Sequence, residues 1–329
     1  MLDDRKAAIL SAVVQEYIET AQPVGSGRIA DAPSVAVSSA TVRNEMASLE
    51  EQGYLVQPHT SAGRIPADKG YRFFVDRLRG LAPALVPQDR GRVRDFFDST
   101  GRELESTLSR TSDLLTSLTD CAAVVVGPSG SVATIRSTQL VDLSTHIAMV
   151  VAVMSNGVIE KRTVEVATEL TPEIVEDAGR RLAAAVDGKT LAELEIDTMG
   201  EKDPLLSAAL AALSAAGREA EVFVGGASRV ASAFEAVEKV RDILTILEQQ
   251  IVVVSLLSDV LERGQRVAIG EETGVEPLAE CSLVVAPYVI EGETAGTIGV
   301  LGPTRMNYSQ ALAAVAVVSQ RLGNVLSEG

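Results

Sequence analysis

The sequence predicts a multidomain α+β fold, and three observations carry that prediction. Residues 3–53 hold three helical patterns, the last two joined by a short turn, and a strand with a turn-rich loop follows. Asn156-Gly157 separates two strand-like apolar runs, the signal of a tight antiparallel hairpin. Strands return after a long helical stretch, as when a mostly helical segment is inserted into an α+β domain. With 329 residues the chain has room for two or three domains with sizeable cores.

Taken in order, Asp3 to Thr20 is an amphipathic helix with Ile9, Leu10, Val13, Tyr17 and Ile18 on its apolar side. Pro23-Val-Gly-Ser26 breaks it, Ser26 caps a short helix to about Asp31, and Ala32-Pro33-Ser34 makes the next turn. Ser38 then caps a third helix, Val37 staples onto Val42, and Gly53 supplies the left-handed residue that ends it. Val42, Met46 and Leu49 recur at i, i+4, i+7, so they pack inward. The far side carries Ala40 and Asn44, with Thr41 and Arg43 on its flanks.

That arrangement is helix-turn-helix geometry, with the chemistry of base reading at the start of the second helix. Arg forks onto guanine, Asn onto adenine, and a methyl meets thymine. Ala40, Thr41, Arg43 and Asn44 are therefore the expected base-edge contacts, with Ser38 and Ser39 beside the phosphates.

Tyr54-Leu-Val-Gln57 reads as a short strand, and Pro58 to Gly63 as a loop, so the unit has a wing. His59, Thr60, Ser61 and Arg64 suit phosphate or minor-groove contact, which fixes register more than it reads sequence. A helix from Asp68 to about Arg79 turns Tyr71, Phe74, Val75 and Leu78 inward and Lys69, Arg72 and Arg79 outward, which adds Lys69 and Arg72 to the expected phosphate contacts.

Leu81-Ala-Pro-Ala-Leu-Val-Pro87 reads as a linker that closes the first domain near residue 85, with connecting chain to about 100. A helix from Arg102 to Leu118, a buried strand at Ala122 to Val126, and the hairpin of Ile147–Met154 with Val158–Val166 come next. Helical segments rich in Ala, Leu and acid occupy the chain from Thr171, and apolar helical spacing from Phe234 to Leu261 predicts two more helices. Strands at 266–269, 282–290 and 297–301 precede a final helix from about Ser309 to Leu326.

Composition limits the function. The net charge of −16 seems to exclude nucleic acid, but residues 1–80 hold 9 basic against 10 acidic residues, and Gly53 to Gly80 hold 5 against 2. Phosphate would repel the acidic remainder and turn the first domain toward a duplex. No uninterrupted apolar run exceeds the eight residues of Ile147 to Met154, so no membrane partner is expected, and the acidic start does not read as a signal peptide. Cys121 and Cys281 have no metal or redox spacing and read as buried thiols of a cytoplasmic protein. With His59 and His146 the only histidines, neither in a nucleophile-elbow context, no catalytic residue, metal or cofactor is expected.

Five stretches carry a resemblance. Ser39-Ala-Thr-Val-Arg-Asn-Glu-Met46, Leu49-Glu-Glu-Gln-Gly-Tyr-Leu55, Pro58-His-Thr-Ser-Ala-Gly-Arg-Ile-Pro66 and Lys69-Gly-Tyr-Arg72 resemble the heat-inducible transcription repressor family HrcA, and Leu301-Gly-Pro-Thr-Arg-Met-Asn-Tyr308 resembles its C-terminal signature. Ala67 departs from the family's threonine, leaving Asp68 to cap the following helix. The resemblance implies a winged helix-turn-helix (1–85), a GAF-like antiparallel sheet domain with helices (101–169 and 262–329), and an inserted, mostly helical dimerisation domain (170–261). It also implies a homodimer on double-stranded DNA with an inverted-repeat operator (CIRCE) upstream of chaperone operons, and the chaperonin GroEL as the partner that keeps the repressor active until heat diverts it. Arg305 reads either as part of the turn into the last helix or as an interdomain contact. Two other readings stay open here: a metabolite-sensing regulator with a GAF-like ligand domain, and an α+β enzyme with an accessory helix-turn-helix.

Overall fold

The computed structural model describes residues 2–35, 37–59, 62–80, 83–99, 104–128, 134–155, 159–194, 203–216, 221–234, 236–290 and 292–327. Thr60, Ser61 and the Asn156-Gly157 pair lie outside the described residues.

Helix α1 (Asp4–Thr20) begins where Asp3 accepts the Lys6 amide at 2.8 Å, and it buries Ile9, Leu10, Val13 and Val14. Helix α2 (Ser26–Ala30) is short, and α3 (Ser39–Glu51) follows it. At 13 residues α3 is marginal as an isolated helix. Burial of Val42, Met46 and Leu49, each contributing roughly 1.5–3 kcal/mol, holds it in place. Gly53 adopts φ 75°, as expected of a helix-ending glycine. Strands β1 (Leu55–Val56) and β2 (Ile65–Pro66) pair antiparallel, and α4 (Asp68–Arg79) packs back on α1.

The expected linker is partly a helix. α5 (Pro87–Ser99) buries Val93 and Phe97, an i, i+4 pair hidden among charged residues, against the C-terminal helix. Helix α6 (Leu104–Thr119) leads into strand β3 (Ala122–Val126).

Strands β4 (Ile135–Ser144), β5 (Ile147–Met154) and β6 (Ile159–Glu165) form a three-stranded antiparallel sheet. It packs against α7 (Pro172–Val186) and α8 (Pro204–Ala216) around its own core, which includes Ala148, Val150, Leu182, Leu206 and Leu213.

Strand β7 (Val222–Gly225), helices α9 (Ala227–Ala233), α10 (Val237–Glu248) and α11 (Gln250–Glu262), strands β8 (Val267–Ile269), β9 (Cys281–Ile290) and β10 (Glu293–Pro303), and helix α12 (Tyr308–Ser327) complete the chain. The second sheet runs β7-β3-β10-β9-β8, antiparallel throughout. Alternate side chains of its strands pack on opposite faces. Ala123, Val125, Ile298 and Val300 share a core with α6, α12 and the N-terminal unit, whereas Ala122, Val124, Leu283 and Leu301 face α10 and α11. Among the described residues no single helix is long and apolar enough to cross a membrane.

The domain limits differ from the expected ones. The separately packed insertion spans residues 134–216, not 170–261, and it takes the 147–165 hairpin with it. Helices α10 and α11, assigned to the insertion from sequence, cover the five-stranded sheet instead. The hairpin signal is local and shows that two strands pair, but not which core their buried face joins.

Candidate nucleic-acid interface

The start of α3 presents the expected groups. Ser38 Oγ accepts the Thr41 amide at 3.3 Å and shares a hydrogen bond with Thr41 Oγ1 at 3.0 Å, so both hydroxyls serve the cap. Ser39 Oγ lies 3.2 Å from Ser26 Oγ and ties α3 to α2. Ala40, Arg43 and Asn44 are exposed, and Thr41 is half-buried. Among the described residues, neither Arg43 nor Asn44 has a hydrogen-bond or ion-pair partner. Their acidic neighbours are engaged: Glu45 pairs with Arg5 at 2.6 Å and Glu50 with Arg64 at 2.8 Å. Two carboxylates on the helix are thus partly neutralised from within.

The β1–β2 loop is held to the body by its backbone. Val24 and Arg64 exchange amide-to-carbonyl hydrogen bonds of 2.9 Å, and a Cβ at Gly63 would collide with the Val24 backbone. Gln57 Nε2 donates to Ala62 O at 2.9 Å, and His59 stays exposed beside this turn.

Three of the expected phosphate contacts are placed differently. Arg64 turns back onto Glu50 and its side chain is only 16% exposed, so it braces the start of β2 against α3. Lys69 is exposed, yet its ammonium donates to Gln52 O at 2.9 Å and lies 4.4 Å from the Tyr54 ring centroid. Arg72 does not point outward: its Nε donates to Glu272 at 2.9 Å and its Nη2 to Val267 O at 2.9 Å, both in the five-stranded-sheet domain. Burial opposes charge on Arg72, but the hydrogen bonds and charge of Glu272, with Asp76, outweigh it and raise its pKa. These partners are remote in sequence, which is why spacing on α4 alone misplaced the side chain.

Asp68 does not cap α4. The cap position is Ala67, with no side-chain hydrogen bond, and the Asp68 carboxylate faces the Glu271 amide at 3.5 Å. Burial raises its pKa, the Glu271 amide opposes that, and the nearby Glu271 and Glu272 charges add to it. Arg305 donates to Ala233 O at 3.1 Å within the sheet domain, so its hydrogen bonding is not interdomain. Tyr308 makes the contact across the junction instead, with its ring centroid 6.0 Å from that of Tyr71.

A family model for the HrcA protein C terminal domain matches residues 105–312. A heat-inducible transcription repressor HrcA of Pelotomaculum thermopropionicum is 38% identical over 342 residues, covering 99% of this chain and 97% of its own. The chain belongs to the HrcA family. An HrcA repressor of Acidothermus cellulolyticus is 37% identical, with all of both chains covered. The crystal structure of a hypothetical protein, 24% identical, covers 100% of this HrcA chain and 99% of its own with a TM-score of 0.69, and it shares the fold. The HrcA match spans both units and the motifs at both ends, and those motifs meet at the Tyr71–Tyr308 junction.

Proposed function

We propose that the protein is a sequence-specific transcription repressor in which residues 2–80 act as a winged helix-turn-helix and seat the first turns of α3 in the major groove. The observation that carries this reading is the exposed, unengaged Arg43 and Asn44 at the start of a Ser38-capped helix whose opposite face is fully buried. Arg and Asn there can each make bidentate contacts to a base edge. One such helix covers only a few base pairs, so a two-fold dimer on an inverted repeat is the economical way to gain specificity.

In this reading the five-stranded sheet with helices on both faces is the GAF-like body. The 134–216 unit joins two copies, and the exposed Leu143, Ile159 and Ile174 on it support that role. Family resemblance supplies the operator, an inverted repeat before chaperone operons, and the chaperonin GroEL as the partner that refolds the repressor. Val-rich strands that are exposed on partial opening would be substrates for such a chaperone.

Selection of genomic fragments bound by the full chain, with its mass measured by light scattering, tests this reading. Inverted repeats bound by a dimer are expected, and recovery of single half-sites by a monomer would overturn it. Operator occupancy through a heat pulse, with and without chaperonin and ATP, tests the heat response. Occupancy that survives the pulse unaided, or recovery that chaperonin leaves unchanged, would overturn the chaperonin partnership.

A further inference from the structure

DNA reading leaves one polar cluster unused, the edge of α4 that faces the sheet domain. Arg72 spans from α4 to Glu272 and to the Val267 carbonyl. Glu272 is itself fixed: its carboxylate accepts the Ile269 amide at 2.9 Å, and its carbonyl accepts from Arg263 Nη1 at 2.9 Å. Beside it, Gly270 has φ +56°, and the space a Cβ would need is filled by the Asp68 carboxylate. The turn at Gly270–Thr273 and the face of α4 are therefore shaped to each other, not merely adjacent.

We propose that Asp68, Arg72 and Glu272 form a positioning clamp that sets the orientation of α3 relative to the body, and so determines the half-site spacing that a dimer accepts. This rests on the dimeric, DNA-reading function proposed above. Two recognition helices on one body pair must arrive at fixed separation and rotation to meet two half-sites. A small rotation of α4 on the body would shift both in opposite senses. Packing of the Tyr71 ring on Tyr308 resists separation of the two units. It is poor at fixing rotation, because apolar packing is less directional than the two-pronged Arg72–Glu272 contact. With the Arg72 and Glu272 side chains 21% and 33% exposed, the pair is shielded enough to matter and accessible enough to exchange.

Two measurements on the full chain test the clamp. In the first, spin labels at Asp31→Cys and Asn324→Cys, both exposed positions, report the distance between the N-terminal unit and α12 without DNA. Glu272→Ala is expected to broaden that distribution, and Glu272→Gln, whose one acceptor oxygen can still take Arg72 Nη2 and the Ile269 amide, to narrow it again part-way. An unchanged distribution overturns the clamp whether or not the protein binds DNA. In the second, duplexes carrying the same two half-sites with spacers varied one base pair at a time are titrated. Glu272→Ala should lower affinity at the preferred spacer roughly five- to tenfold and flatten the spacer profile, leaving single half-site affinity unchanged, and Glu272→Gln should recover most of the profile. A wild-type spacer profile in Glu272→Ala overturns the clamp. If the wild-type protein selects no inverted repeat while the distance distribution broadens as expected, the functional reading and the spacing role fail together, and the orienting contact between α4 and the body stands.

Discussion

Tyr71 and Tyr308 come from opposite ends of the chain and meet with their ring centroids 6.0 Å apart. Each belongs to a motif that is conspicuous in the sequence, Lys69-Gly-Tyr-Arg72 on α4 and Gly302-Pro-Thr-Arg-Met-Asn-Tyr308 before α12. Tyr308 is further held by Ser282 Oγ at 2.7 Å and by donation to the Thr304 carbonyl at 2.7 Å. Burial raises the pKa of both phenols, so they stay neutral and act as packing groups with fixed hydroxyls. The two motifs are the two halves of one junction.

Arg43→Ala or Asn44→Ala should cost about 1–3 kcal/mol per half-site and relax preference at particular base pairs, because each would forfeit the bidentate base contact proposed for it. Competition binding with base-substituted operators measures this. An operator preference left intact by Arg43→Ala would show that α3 does not lie in the groove as proposed.

Arg64→Ala should act on stability more than on DNA. The side chain is half-buried against Glu50, so its loss strands that carboxylate and lowers unfolding free energy by about 1 kcal/mol after allowance for solvent screening. The slope of log affinity against log salt should stay at its wild-type value, whereas loss of a phosphate contact would reduce it by about 0.9. A reduced slope would restore Arg64 to the phosphate contacts.

Asp68 gives the junction a defined pH response. Its folded-state pKa is raised, chiefly by burial, so the folded protein holds that proton more tightly than the unfolded chain does. The stabilisation is complete below the ordinary value of 3.8 and is lost as pH rises through the folded-state pKa. Asp68→Asn keeps an acceptor for the Glu271 amide and removes the titration. The melting temperature of Asp68→Asn relative to wild type should therefore climb as pH rises above that value and then level off. A difference that falls with rising pH would mean that the carboxylate is stabilised in place.

Cys121 and Cys281 should resist alkylation in the native protein. Burial pushes both thiols up to about 12, so at neutral pH neither offers a thiolate. Mass spectrometry after brief iodoacetamide treatment should find both unmodified at low temperature and both labelled after unfolding. Labelling of either in the folded state at neutral pH would contradict the burial described.

The sequence by itself determined whatever depends on near neighbours. The Ser38 cap, the Val42-Met46-Leu49 face and the Gly53 stop lie within one helix and its flanks, so α3 and its exposed Arg43 and Asn44 are legible in the sequence. The β5–β6 pairing and α12 were legible for the same reason. Tertiary structure alone decided which surfaces those elements meet. Strand β3 lies between β7 and β10, both distant in sequence, and an apolar strand can join any sheet that offers an edge, so the limits of the insertion were not legible. Arg64 and Arg72 show the same limit at the scale of a side chain. A long cation on a helix or turn suits phosphate until a partly buried carboxylate is brought beside it, and only the fold brings Glu50 to the first and Glu272 to the second. Periodicity states which way a side chain leaves its own element, and the charge it meets there is set by the packing of other elements.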